Sequence, residues 1–239
     1  MAPRSVLRAS GRAAGVSTDA QQTARAVLDR YGTGYAAEAG IVLKDEPAPL
    51  FQLLVLAELL SARIDASVAV AAARELRAAG WTTARHLQGS TWQQRVDALG
   101  RGSYRRYDER TATQLGELAD LVLDRYSGDL RELAGAAGGD VDRAAELLQE
   151  VKGIGPAGAA IFLREVQAVW PWVRPYADER ARAGADRVGL PPDPTELAGL
   201  VPAERFADLA AALVRVSLLR ATDDPLGPGA TAGTATAGT

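Results

Sequence analysis

Residues 50–62 constrain this chain most. The run Leu50-Phe51-Gln52-Leu53-Leu54-Val55-Leu56-Ala57-Glu58-Leu59-Leu60-Ser61-Ala62 is apolar on almost every face. A helix without a polar stripe has to be enclosed by other elements, so the rest of the chain must wrap around this segment. The composition indicates helical partners. Hydrophobic residues make up 47%, much of that alanine, aromatics only 5%, and β-branched runs are few. Such a mixture favours helices over sheet. The expected fold class is therefore all-α, with this helix at its centre. At 239 residues the chain suffices for one large or two small domains.

Helix punctuation supports this. Asp19 to Tyr31 is periodic (Ala24, Val27, Leu28, Tyr31) and stops at Gly32. Residues 33–48 read as irregular and are closed by Pro47 and Pro49. Asp65 can cap a helix from Ala66 to Ala79, and Ser90 with Gln93 forms a capping-box pattern before Trp92 to Leu99. Tyr107 to Tyr126 reads as a long amphipathic helix, Asp129 can cap a short one, and Asp140 can cap Val141 to Val151. Pro156 suits the first turn of the next helix, which runs to Val169. Trp170-Pro171-Trp172-Val173-Arg174-Pro175 breaks helicity twice and reads as a crossing strap. Asp178 to Val188, a short helix capped by Asp193, and an amphipathic helix from Ala203 to Arg220 follow. Residues 1–17 and the Ala-Gly-Thr-Pro tail 221–239 are expected to be disordered.

The chain contains no cysteine, which excludes disulfides, thiolate catalysis, cysteine-ligated zinc and a cysteine-bound iron–sulfur cluster. No apolar stretch reaches the length of a membrane span. The expectation is an intracellular, cytoplasmic protein without a membrane partner. Net charge is −3, whereas dedicated nucleic-acid binders are often basic. A transient DNA-binding enzyme needs only a local basic face. Lys44 and Lys152 are the only lysines, and a lone His86 lies in a stretch with no other site signal.

Chemistry concentrates in Val151-Lys152-Gly153-Ile154-Gly155-Pro156-Ala157-Gly158-Ala159-Ala160-Ile161-Phe162. Two apolar helical segments flank a Gly-Ile-Gly turn, a helix-hairpin-helix pattern. The glycines permit a backbone conformation that other residues resist and let a phosphate approach the bare chain. Turn N–H groups and the N-terminus of the second helix then form an anion site that holds nucleic acid without reading its sequence. The predicted DNA contacts here are Lys152, Gly153, Ile154, Gly155, Ala157 and Gly158, with Ile154 anchoring the turn.

Several segments together resemble the helix-hairpin-helix DNA glycosylase superfamily, of the endonuclease III and adenine-glycosylase type, across residues 20–220. Phe51 to Arg63 is similar to that family's buried helix ending in Leu-Leu-Ser-Ala-Gln. Gly102-Ser103-Tyr104 resembles its Gly-Leu-Tyr turn, Val151 to Phe162 its hairpin, Trp170 to Asp178 the strap leading to its catalytic aspartate, and Val201-Pro202-Ala203-Glu204 the start of a late helix. The resemblance implies a six-helix barrel over 50–169 and a second helical domain from 18–49 and 170–220, with DNA across the cleft and a damaged or mismatched base flipped out. It also implies a Na⁺ or K⁺ ion on the hairpin carbonyls near Lys152, Gly153 and Gly155, and a monomer acting on duplex DNA.

By the same resemblance Asp178 is the catalytic carboxylate, which stabilises an oxocarbenium-like sugar and orients water. Asp178 equally suits a helix N-cap, and Glu179 is its adjacent fallback. Bifunctional members form a Schiff base through a lysine whose place here is taken by Ala157, so the expected enzyme is monofunctional, without lyase activity. The family's cysteine-cluster loop is missing. Arg63 stands where a gap-filling glutamine is common, and Tyr104, Arg105 and Arg106 form an aromatic–basic loop suited to the minor groove or phosphates. Trp172 and Tyr176 are candidates for a base pocket, although aromatics beside prolines also simply pack. The alternative to an enzyme is a non-catalytic protein that binds distorted DNA.

Overall fold

A computed structural model describes the backbone of residues 11–227 and side chains from residue 18 to 227. Among the described residues every regular element is a helix. The chain forms two compact units: Thr33–Asp178, and a second made from both ends of the chain, up to Gly32 and from Glu179 onward.

Helix α1 (Gly11–Tyr31) opens the chain and belongs to the second unit. It begins at Gly11 rather than Asp19, because no proline interrupts the Arg- and Ala-containing residues before it. The expected disordered start therefore overlaps α1; the rest of it, and most of the low-complexity tail, lie outside the described residues. The larger unit carries α2 (Tyr35–Glu38), α3 (Pro47–Ser61), α4 (Ala66–Ala78), α5 (Ala84–Gln88), α6 (Trp92–Arg101), α7 (Asp108–Tyr126), α8 (Arg131–Ala137), α9 (Val141–Gln149) and α10 (Pro156–Val166), then a 3₁₀ turn at Pro171–Val173. Packing runs from α3 to α4, α6, α7, α8, α9 and α10, and α10 returns to α3, so the helices close a ring. Leu50, Phe51, Leu53, Leu54, Leu56 and Leu59 of α3 are fully buried, as the absence of a polar face requires.

Caps set the helix starts. The Asp65 carboxylate accepts from Ser67 N–H at 2.8 Å, and Asp140 accepts from the N–H groups of Asp142 and Arg143. The capping box is Thr91–Gln94 rather than Ser90–Gln93. Ser90 is buried, and its hydroxyl accepts from Arg95 Nη1 at 3.0 Å, so it is engaged in the core instead.

Residues 33–49 and the strap 170–178 join the ring rather than the second unit, which moves both expected domain boundaries. The cause is apolar content in stretches too short to show periodicity. Tyr35, Ala36, Ile41, Trp170 and Val173 enter the same buried cluster as Leu50. Trp170 Nε1 donates to Asp45 at 2.9 Å, and Ala36 N–H donates to Glu165 at 3.2 Å.

In the second unit α11 (Glu179–Arg187), α12 (Pro194–Ala198) and α13 (Phe206–Leu218) join α1. A Cβ on Gly184 would lie 1.9 Å from the Leu213 carbonyl oxygen, so only glycine lets α11 approach α13 this closely. Arg187 Nη1 donates to the carbonyls of Val216 (3.1 Å) and Leu219 (2.6 Å) and closes the end of α13.

Candidate nucleic-acid interface and cavity

The hairpin has the expected build. Gly153 adopts φ +94°, a conformation that side chains resist. Ile154 is 3% exposed and pins the turn to the core, and Gly158 is buried beneath it, where a Cβ would meet Ile154 Cγ2 at 3.3 Å. Pro156 and Ala157 are exposed at the start of α10. The N–H groups of Gly155, Ala157 and Gly158 donate no backbone hydrogen bond among the described residues, the usual condition of a first helical turn. These are the donors that a phosphate requires. The Lys152 and Gly153 carbonyls likewise accept no backbone hydrogen bond, whereas the Gly155 carbonyl accepts from Ala159 N–H at 3.0 Å. Lys152 and Gly153 thus fit a monovalent cation better than Gly155 does. Lys152 itself is exposed, its Nζ 3.9 Å from Glu117.

Behind the turn lies a cavity of about 280 Å³. The end of α3 supplies Glu58 and Ser61, and the two residues after it Ala62 and Arg63; the loop before α7 supplies Tyr104 and Tyr107; α7 supplies Arg110, Thr111 and Gln114; the hairpin supplies Gly153. Three of the predicted DNA contacts, Arg63, Tyr104 and Gly153, therefore converge from three separate chain segments.

Glu58 is the chemically unusual member. It is 4% exposed, and neither carboxyl oxygen has a hydrogen-bond partner among the described residues. It touches the hairpin: a Cβ on Gly153 would fall 2.7 Å from its Oε1. Burial, and then the charge of Glu117, push the Glu58 carboxyl well above the usual carboxylate range and favour its neutral form.

The loop 103–107 divides its labour differently from expectation. Tyr104 is 2% exposed, and its hydroxyl accepts from Thr111 Oγ1 at 3.4 Å, so its ring anchors the loop and cannot act as a surface wedge in this conformation. Arg105 and Arg106 are exposed, and the Arg106 guanidinium stacks over the Tyr107 ring at 5.2 Å. Ser103 turns the chain with φ +65°.

Asp178 does not line the cavity. It is the last residue of the larger unit, and it accepts from Arg164 Nη1 of α10 in a buried ion pair, with side-chain exposures of 10% and 2%. The strap that delivers it is held by Gln167, whose Nε2 donates to the Tyr176 carbonyl (2.8 Å) and whose Oε1 accepts from Tyr176 N–H (3.0 Å). Trp172 stacks on Trp170 with centroids 5.5 Å apart. Trp172 and Tyr176 are half-buried and neither lines the cavity. Glu179 and His86 are exposed outside it.

Glu58, Tyr107, Arg110 and Gln114 are cavity residues that sequence reasoning did not single out. Glu58 did leave a signal, as the one charged residue in an otherwise apolar helix.

No family model matches the chain, and no curated protein does. Among solved structures it is similar to a trapped endonuclease III–DNA covalent intermediate in an estranged-adenine complex, at 17% identity over 81% of this chain and 84% of that one, with a TM-score of 0.44.

Proposed function

We propose that the protein is a monofunctional DNA N-glycosylase that removes a damaged or mismatched base from duplex DNA and leaves an abasic site. The observation that carries this is the convergence of Arg63, the Tyr104–Tyr107 loop and the Gly153 turn on one cavity with an unpartnered buried carboxyl in its wall. The hairpin N–H groups would hold a phosphate, helped by a monovalent cation on the Lys152 and Gly153 carbonyls. When bound, that ion supplies positive charge next to the phosphate. Arg63, Arg105 and Arg106 would contact the strands, and the cavity would receive the flipped base. A carboxyl there offers hydrogen-bonding groups to the base edge. Asp178, kept in place by Arg164 and the Gln167-bound strap, would face the sugar as an anion and steer water to C1′. The exposed Ala157 offers no amine, so the strand would remain uncut.

A monomer working in the cytoplasm without a redox cofactor is the form in which this activity is proposed. One observation favours the non-catalytic alternative: the Arg164 guanidinium offsets much of the Asp178 charge that an oxocarbenium ion would need. The two readings separate in an incision assay on a panel of lesion duplexes, with and without alkali. Strand breaks only after alkali support the glycosylase, and breaks without alkali refute its monofunctional character. Binding without product from any lesion, unchanged in Asp178→Asn, selects the alternative.

A further inference from the structure

Resting on the glycosylase reading, we infer that the cavity selects a positively charged base, of the N-alkylated purine type, and that Glu58 is the residue that selects it. Several observations lead there independently. Glu58 is buried, forms no ion pair among the described residues, and both its oxygens are without a hydrogen-bond partner. An orphaned carboxyl in a protein interior is costly, and a cavity that retains one is matched by a ligand that supplies the missing partner. Neutral on its own, Glu58 gives its proton to solvent when a cation enters and pairs with it, because an adjacent opposite charge favours the ionised form. Glu117, outside the lining, acts electrostatically on Glu58, while the exposed Arg63 and Arg110 also line the cavity but neither pairs with Glu58. The aromatic Tyr104 and Tyr107 complete a lining suited to a planar cation.

The catalytic equipment points the same way. Lysine is replaced by Ala157, and Asp178 is tied to Arg164. Such a site gives little help to a base that leaves reluctantly. An N-alkylated base needs little help. Its C1′–N bond breaks with the electron pair passing to the ring, which cancels the ring's positive charge, so no proton has to be delivered to it. Positive charge appears on the sugar, the oxygen of a water adds to C1′, and that water's proton goes to Asp178 and on to solvent. The products are a neutral alkylated base and an abasic hemiacetal. The departing base is no longer a cation, its pairing with Glu58 weakens, and it is released. Glu58 acts in selection rather than in bond breaking.

The test uses the full-length protein. Duplex DNA treated with dimethyl sulfate, and duplexes carrying uracil, an oxidised pyrimidine or a mismatch, are incubated with it, and released bases are identified by chromatography. In parallel, 7-methylguanosine and guanosine are titrated calorimetrically at mildly acidic pH, where the methylated base is a cation. Expected are release of methylated purines in preference to all other bases, a tenfold or greater preference for 7-methylguanosine, and loss of that preference in Glu58→Gln, which keeps the shape but cannot ionise against a bound cation. Should Glu58→Gln fail to fold, as judged by circular dichroism, the wild-type preference alone decides. Release of uracil, oxidised or mismatched bases without methylated ones overturns the inference and leaves the glycosylase reading standing. Release of nothing from any duplex overturns the glycosylase reading. Equal binding of the two nucleosides, or a preference that survives in a folded Glu58→Gln protein, overturns the role of Glu58.

Discussion

Replacing Gly153 by alanine should be among the more damaging single-methyl changes in the molecule, and its cost can be divided into two parts. At φ +94° an alanine pays a conformational penalty of about 1–2 kcal/mol. The new Cβ would also fall 2.7 Å from Glu58 Oε1, 3.0 Å from Cδ and 3.3 Å from Cγ. Glu58 lies within the central helix at 4% exposure and can relieve the overlap only by turning its carboxyl into the cavity, so the overlap adds about 1–3 kcal/mol as overpacking. Gly153→Ala should therefore destabilise the fold by about 2–5 kcal/mol. The overlap disappears in Glu58→Ala, but the backbone penalty does not. A double-mutant cycle by urea denaturation should accordingly give a coupling energy of about 1–3 kcal/mol, with Gly153→Ala costing less in the Glu58→Ala background. A coupling below about 0.5 kcal/mol would show that the carboxyl does not sit under the turn and would remove the basis for the cavity wall described above.

Asp178→Asn removes one partner of a buried ion pair and leaves the Arg164 charge uncompensated, so chemical denaturation should show a loss of about 3–5 kcal/mol, partly recovered in the double variant with Arg164→Leu. Glu58 should make stability fall with rising pH. Its folded-state pKa lies above the model-compound value of 4.5, so the folded chain holds a proton that the unfolded chain releases above that value; the contribution is full below it and is lost as pH rises toward the folded pKa. Denaturation midpoints compared between mildly acidic and mildly alkaline buffer should show this decline in the wild type and a flatter profile in Glu58→Gln. Ala157→Lys places an amine on the exposed first turn of α10; if the glycosylase reading holds, borohydride should trap a protein–DNA crosslink in this variant and not in the wild type.

Elements with strong signals were legible in the sequence. The apolar run at 50–62 became the enclosed central helix because it has no face that water could tolerate, and the Gly-Ile-Gly turn followed from the conformation that Gly153 alone adopts easily. The capping box slipped by one residue because Ser90 and Thr91 are equally good caps, and the choice was made by Arg95, which engages Ser90 from inside the core. The strap was assigned to the wrong unit for a related reason: pairing of Trp170 with Asp45, and of Tyr176 with Gln167, is decided by folding partners distant from the local pattern. Tyr104 shows the limit for side chains, since an aromatic in a basic loop reads as a DNA contact until its burial is known. The cavity was invisible to local pattern altogether, because its lining comes from α3, α7, a loop and the hairpin, and only the closed ring brings them together.

The Gln167 clamp on Tyr176 has a consequence for how such a protein can vary. Both polar ends of one side chain grip the same backbone residue, and Arg164, one turn earlier on α10, grips Asp178. The aspartate is thus indexed to the helix that follows the Gly153 turn, with every link drawn from a single unit of the chain. Mutations that loosen or reshape the unit built from the two chain ends can accumulate without altering the spacing between Asp178 and the hairpin. Changes at position 164 or 167 reset that spacing directly, so natural or engineered variation in chemistry should be sought at those two positions before it is sought among residues that would touch DNA.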